Sequence, residues 1–124
     1  LTESCLVESN SSFGIESAEK LLIDSLAVEK AGANLLVLEC VPKNIAEKIT
    51  NKLKIPTIGI GAGNKTDGQV LVLQDMLGLN TRFKPKFVHN FFDDKDVNNI
   101  TDAIRAYVKK VKDRSFPNDQ QSFS

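Results

Sequence analysis

The sequence predicts an α/β fold built on parallel strands, and two observations carry that expectation. Apolar runs without polar alternation stand at Leu35-Leu36-Val37-Leu38, Thr57-Ile58-Gly59-Ile60 and Val70-Leu71-Val72-Leu73. Such runs mark strands buried on both faces, as in a parallel sheet. Helical patterns precede and separate the first two runs. The order is then helix, strand, helix, strand, which contains a βαβ unit that should cross over right-handed.

The elements follow in order. Leu1 to Glu16 is polar and irregular, with Ser9-Asn10-Ser11-Ser12 at its centre and Gly14 as a breaker. Residues 1–17 are read as loop, or as a divergent remnant. Ser17 can cap a helix from Ala18 to Ala31, with Ala18, Leu21, Leu22, Ser25, Leu26 and Ala31 near one face and Gly32 as its stop. The strand Leu35–Leu38 comes next. A second helix opens at Pro42 or Asn44 and buries Ile45, Ala46, Ile49 and Leu53. Pro56 ends it and opens the strand Thr57–Ile60.

The run at 70–73 reads as a third buried parallel strand, reached by an abbreviated turn over Gly61 to Gln69. That gap is short for a parallel crossover, so a hairpin is the alternative. Asp75 to Val88 is an irregular, aromatic loop. Phe87, Phe91 and Phe92 are expected to seal a rim, with a pocket cover as the other reading. A final helix runs from about Asp96 to Val111, with Ile100, Ala103, Ile104, Tyr107, Val108 and Val111 as its apolar stripe. Residues 18–117 thus form the folded unit. The polar segment 118–124 is expected to be mobile unless a partner orders it.

Composition bounds the function. The 124 residues suit one small domain, and 41% hydrophobic content can build a core. With 16 basic and 16 acidic side chains the formal net charge is zero, which argues against a nucleic-acid partner. No apolar run approaches the roughly 20 residues that span a bilayer. Residues 1–5 lack the basic start and apolar core of a signal peptide. The two cysteines, Cys5 and Cys40, are expected to be reduced thiols in a cytoplasmic protein, with a disulfide between them as the alternative. The chain starts at Leu1 in a polar stretch with no opening strand, which suggests a piece of something longer.

One residue stands out chemically. Glu39 directly follows the first apolar run, at what should be the C-terminal edge of a parallel sheet. In α/β folds that edge holds ligands and catalytic groups. Pro42 follows within a very short turn, so Glu39 would sit on a stiff strand-to-helix junction, a good mount for a general base. The plain alternative is a charge marking where the chain leaves the core.

Other patterns are weaker. Gly59-Ile60-Gly61-Ala62-Gly63 opens like a dinucleotide fingerprint, but Lys65 stands where a third glycine is wanted, so tight packing is the preferred reading. Asp67, in the turn Thr66-Asp67-Gly68, reads as a capping residue. His89 is the single histidine and reads as a loop residue, which leaves no transition-metal set. Glu39 and Asp75 are the two carboxylates at strand ends, too few for a magnesium site from this chain alone.

Three strings then point to a family: Ala31-Gly32-Ala33-Asn34-Leu35-Leu36-Val37-Leu38-Glu39-Cys40-Val41-Pro42, Ile55-Pro56-Thr57-Ile58-Gly59-Ile60-Gly61-Ala62-Gly63-Asn64, and Thr66-Asp67-Gly68-Gln69-Val70-Leu71-Val72. Together with Asp75-Met76-Leu77-Gly78, Pro85-Lys86-Phe87-Val88 and Ser122-Phe123, they resemble ketopantoate hydroxymethyltransferase from about Ala18 to Ser124. The resemblance implies the C-terminal part, about strands 6–8 with flanking helices, of a (β/α)8 TIM barrel. It implies transfer of a hydroxymethyl group from 5,10-methylenetetrahydrofolate to 3-methyl-2-oxobutanoate, giving 2-dehydropantoate in pantothenate biosynthesis. It places the family's proton acceptor at Glu39, acting on the carbon beside the ketone, with magnesium chelated by the keto acid to stabilise the enolate.

The family's metal ligands and its substrate-binding Asp-Ser, lysine and histidine belong to earlier strands whose motifs are absent here. No metal ligand and no substrate-binding residue is therefore assigned to this chain. The resemblance further implies small-molecule substrates, a homo-oligomer (a decamer in the family), a missing N-terminal half, and neither nucleic acid nor membrane as partner. Two other readings stay open. The chain is an inactive or split-gene fragment without turnover on its own, or it is a small anion-binding α/β module that uses the glycine-rich loop.

Overall fold

The computed structural model describes residues 15–124. The reading of 1–14 as loop, and Cys5 with it, lies outside the described residues. The chain folds as helix α1 (Ile15–Lys30), strand β1 (Leu36–Glu39), helix α2 (Lys43–Lys52), strands β2 (Thr57–Ile60) and β3 (Gly68–Gln69), a short helix α3 (Leu73–Met76) and helix α4 (Ile100–Lys112). Single 3₁₀ turns stand at Phe91–Asp93 and Asp119–Gln121. The sheet order is β1-β2-β3, with both pairs parallel. The architecture is the expected α/β one with a small parallel sheet.

Helix α1 starts before the expected Ser17 cap, so Ser17 lies inside its first turn. Its stop is as read. Gly32 takes φ +99°, and the amides of Gly32 and Ala33 donate to the carbonyls of Glu29 and Val28. That is a Schellman end, which favours glycine. Glu29 also reaches across to accept from the amides of Lys54 and Ile55, tying α1 to the end of α2. Helix α2 buries Ile45, Ala46 and Ile49, with Leu53 buried at its C-cap, as the spacing predicted. These residues pack with Leu38, Val41 and Ala62, and Ala18, Leu21, Leu22 and Leu36 close over them.

Strand β2 has the expected bounds. Strand β1 is displaced by one residue, so Glu39 is its last residue rather than the one after it. In register, Leu36 lies beside Thr57, Val37 beside Ile58, Leu38 beside Gly59 and Glu39 beside Ile60. Side chains alternate along a strand. Leu36 and Leu38 therefore face the helices, and Val37 and Glu39 face the other way. The expectation of burial on both faces fails there. Val37 is 52% exposed and Leu35 48% exposed. One face of β1 has its helix layer, and among the described residues the other face has no second layer.

The third strand is parallel, as preferred over a hairpin, but it lies at 68–69 rather than 70–73. The ladder gains one more bond, from the Val70 amide to the Gly59 carbonyl. It then stops because the Tyr107 hydroxyl of α4 takes the Gln69 carbonyl, and the chain turns into α3 at Leu73. Asp67 anchors the start of this edge. Its carboxylate accepts from the Thr57 amide at 2.8 Å and the Thr57 hydroxyl at 3.1 Å. Thr57 is fully buried, so these bonds satisfy groups that water cannot reach. Asp67 thus binds strand to strand and caps no helix.

A second core gathers Ile60, Leu71, Met76, Leu77, Phe87, Val88, Phe91, Ala103 and Phe116. Phe91 is fully buried. Its ring meets His89, Tyr107 and Phe116 edge-on at centroid distances of 4.6, 5.5 and 5.4 Å. Phe87 and Phe91 are core residues, whereas Phe92 is partly exposed. Helix α4 begins later than expected, at Ile100, where the Asn99 side chain accepts from the Asp102 amide. Of its apolar stripe, Ala103 is buried and Tyr107 and Val111 pack on the core, but Ile100, Ile104 and Val108 are exposed.

His89 is more than a loop residue. Its Nε2 lies 2.8 Å from Asp94 Oδ1, and Lys110 Nζ lies 2.7 Å from the other carboxylate oxygen. Burial acts to raise the Asp94 pKa, but the partner cations and their hydrogen bonds outweigh it and hold the carboxyl below its ordinary value. A depressed carboxylate contributes stability above its unfolded-state pKa and loses it as pH falls through the folded one. Asp94→Asn should therefore cost stability at neutral pH and progressively less below about pH 3.9. Urea midpoints of the two proteins at several pH values would show the curves converging in acid. A gap that stayed constant with pH would contradict the assignment.

Candidate functional site

The C-terminal edge of the sheet brings together four segments. The first is Glu39 and the turn Cys40-Val41-Pro42 that leads into α2. Cys40 takes φ +53°, a left-handed conformation that costs a non-glycine residue about 1–3 kcal/mol and persists where surroundings enforce it. They do so here. The Cys40 amide donates to the Ile60 carbonyl at 2.9 Å, and Val41 and Pro42 are buried. Pro42 is the N-cap of α2 and caps it without a side-chain bond, as a short stiff junction requires.

The second segment is the glycine string after β2. A Cβ on Gly59 would stand 2.7 Å from the Thr66 hydroxyl oxygen. One on Gly61 would stand 2.8 Å from a Phe87 ring carbon, and one on Gly63 would stand 2.5 Å from Lys43 Cβ. Gly61 and Gly63 also take positive φ. The chain's own side chains fill the space beside these glycines. That is tight packing, the preferred reading, and it leaves little of a cradle for an anion.

The third segment carries Lys86 and Phe87. The fourth is the stretch 118–123, which sequence reasoning missed. It is packed against the rest of the chain. Asn118 and Gln121 make a reciprocal capping box, Ser122 is buried, and Phe123 lies against Phe87 with ring centroids 6.3 Å apart. A signal was available, because Asn-x-x-Gln is a capping-box spacing.

Glu39 is exposed, sits on the face opposite the helices and points away from their core. A carboxylate mounted in this way can accept a proton from a ligand held over the sheet edge. Asp75 is engaged elsewhere, accepting from the Asn80 amide nitrogen at 3.3 Å. Among the described residues no group of three or more His, Cys, Asp or Glu side chains could hold a metal ion. The described residues therefore do not by themselves fit magnesium. No helix among them is long and apolar enough to cross a membrane.

The sequence has relatives among characterised proteins. The chain is 52% identical over 108 residues to the 3-methyl-2-oxobutanoate hydroxymethyltransferase of Francisella tularensis subsp. tularensis (strain FSC 198), covering 87% of this chain and 40% of that protein. The enzyme of the same name from Ruthia magnifica subsp. Calyptogena magnifica is 47% identical over 108 residues, with 87% and 41% covered. That of Photorhabdus laumondii subsp. laumondii is 53% identical over 107 residues, with 86% and 40% covered. The chain thus spans about two fifths of the length of the curated relatives it matches. The family model described as ketopantoate hydroxymethyltransferase matches residues 11–119, which leaves only the two ends outside it, and the chain belongs to that family.

Proposed function

We propose that this chain is the part of a 3-methyl-2-oxobutanoate hydroxymethyltransferase that carries the proton acceptor, Glu39. The observation that supports this most is the mount of Glu39. It is the last residue of a parallel strand, on the face away from the helices, followed by a strained turn that packing and a ladder bond hold in place. In the proposed step Glu39 takes a proton from the carbon beside the ketone of 3-methyl-2-oxobutanoate. The resulting enolate carbon bonds to the methylene carbon of 5,10-methylenetetrahydrofolate, whose two bonds to nitrogen break; one water supplies the new hydroxyl, and tetrahydrofolate leaves with 2-dehydropantoate as the product. A fixed base in hydrogen-bond reach of the acidic carbon is what such a step requires.

Placement within a (β/α)8 barrel, as about its sixth to eighth strands, is part of the same proposal. Three parallel strands leave two edges and, here, an open apolar face at Leu35, Val37 and Val70. The remaining strands of a closed barrel would cover both. Magnesium, which does not fit the described residues alone, would take its ligands from that remainder, and no step assigned to this chain passes through it. The exposed stripe Ile100, Ile104 and Val108 on α4 supports a homo-oligomer, and a cytoplasmic location fits a pathway enzyme of this kind.

The test compares two proteins. The full-length protein containing this chain, given keto acid, 5,10-methylenetetrahydrofolate and magnesium, should form 2-dehydropantoate, whereas residues 1–124 alone should form none. No product from the full-length protein would sink the proposed activity. Product from 1–124 alone would contradict the division of the site. A split product that works only with a separate N-terminal half would appear as activity restored on mixing the two.

A further inference from the structure

The segment 118–123 has no role in the proposed chemistry, yet it is built against the turn that follows Glu39. Contacts with Lys43, Lys86 and Gly61 fix it there. The amide of Lys43, the first residue of α2, donates to the Phe123 carbonyl at 2.9 Å. Lys43 Nζ pairs with the Asp119 carboxylate. Lys86 Nζ donates to the Ser122 carbonyl at 2.7 Å and lies 5.6 Å from the centre of the Phe123 ring. The ring itself lies by Gly61, where a Cβ would come within 3.3 Å of it. The segment therefore bridges the loop after β1, the loop after β2 and the loop that carries Lys86 and Phe87, all at the edge where Glu39 stands.

This arrangement answers a mechanical need. Cys40 holds a left-handed backbone between Glu39 and Pro42. Such a residue relaxes unless the chain on both sides is pinned. On the strand side the pin is the Cys40 amide on the Ile60 carbonyl. On the helix side the Lys43 amide is one of the unpartnered amides of a helix start, and Pro42 offers it no side-chain cap. The Phe123 carbonyl fills that place from 80 residues away in sequence.

We propose that Phe123 is a positioning residue for Glu39: its ring, seated between Lys86, Phe87 and Gly61, sets its own carbonyl on the Lys43 amide and so fixes the direction of the Glu39 carboxylate. The inference rests on the reading of Glu39 as the proton acceptor. Phe123 touches no reacting atom in it. A small change in direction at a base costs rate without weakening substrate binding, because misplacement by about 1 Å can cost on the order of a hundredfold.

The experiment uses the full-length protein with Phe123→Ala, Phe123→Leu and Lys86→Met. Phe123→Ala is expected to lower kcat by about tenfold to a hundredfold, with KM for the keto acid and the Tm close to those of the unsubstituted protein. Hydrogen exchange at the Lys43 amide should quicken in parallel. Phe123→Leu, which keeps a bulky apolar side chain, should recover most of both. Lys86 is exposed, so Lys86→Met should fold even if Phe123→Ala does not. It should show the same pairing of lower kcat and faster Lys43 exchange. Unchanged kcat and unchanged Lys43 exchange in the folded variants would overturn the proposal. So would a fall in kcat matched by an equal loss of stability, which makes Phe123 structural only. Glu39→Gln run alongside separates the two failures: if it retains the substrate's proton exchange, the proton acceptor was wrongly assigned, whatever Phe123 does.

Discussion

Glu39→Gln in the full-length protein should reduce kcat for 2-dehydropantoate formation by about 10² to 10⁴, the range that a positioned general base supplies. Glutamine keeps the size and the hydrogen-bonding oxygen of the side chain but cannot take up a proton. Folding should be unaffected, since the residue is exposed and its neighbours in the core, Leu38 and Val41, are unchanged. The loss should appear in kcat with little change in KM for the keto acid, because the proposed role of Glu39 is to take the proton and not to hold the substrate. A variant with full kcat would remove Glu39 from the chemistry. Steady-state assay of product across keto-acid concentrations separates the two parameters.

Phe91→Ala should have the largest effect on stability, about 3–5 kcal/mol, the usual cost of truncating a fully buried phenylalanine. Three features put it at the high end. The ring has no exposure, it meets three aromatic rings edge-on, and it sits where the 3₁₀ turn Phe91–Asp93 joins α4. Edge-on aromatic pairs add about 0.5–1.5 kcal/mol beyond area burial. Nearby, the His89–Asp94–Lys110 cluster would lose the ring that backs His89. The shift in urea midpoint against the unsubstituted protein measures this. A change below about 1 kcal/mol would mean that neighbouring side chains collapse into the space.

Where local signals fence an element, the sequence located it well. Pro56 and Gly61 bracket β2, and its bounds are those read from the apolar run. Gly32 stops α1 because the left-handed residue of a Schellman end has a local cause. The core face of α2 followed from spacing alone. What escaped was set by distant contacts. Strand β3 is short because Tyr107, 38 positions on, takes the Gln69 carbonyl. The segment 118–123 is ordered by Lys43 and Lys86, which no local pattern connects to it. Val37 was expected inside because unbroken apolar runs belong to strands with two covered faces. Its exposure in 15–124 is consistent with the chain spanning two fifths of its relatives' length. Glu39 was legible for a physical reason: a charge ending an unbroken apolar run stands at a sheet edge. A metal set was not legible, and the described residues contain no cluster of three or more His, Cys, Asp or Glu side chains that could hold one.

The proton-acceptor assignment is tested most directly at the first chemical step, without folate. The full-length protein and its Glu39→Gln variant would be incubated with 3-methyl-2-oxobutanoate and magnesium in deuterated water, and loss of the C3 proton signal followed by NMR, with keto-acid binding measured in parallel by calorimetry. The expected result is rapid exchange in the unsubstituted protein and none above background in the variant, with binding nearly equal in the two. Exchange at the unsubstituted rate in Glu39→Gln would contradict Glu39 as the base.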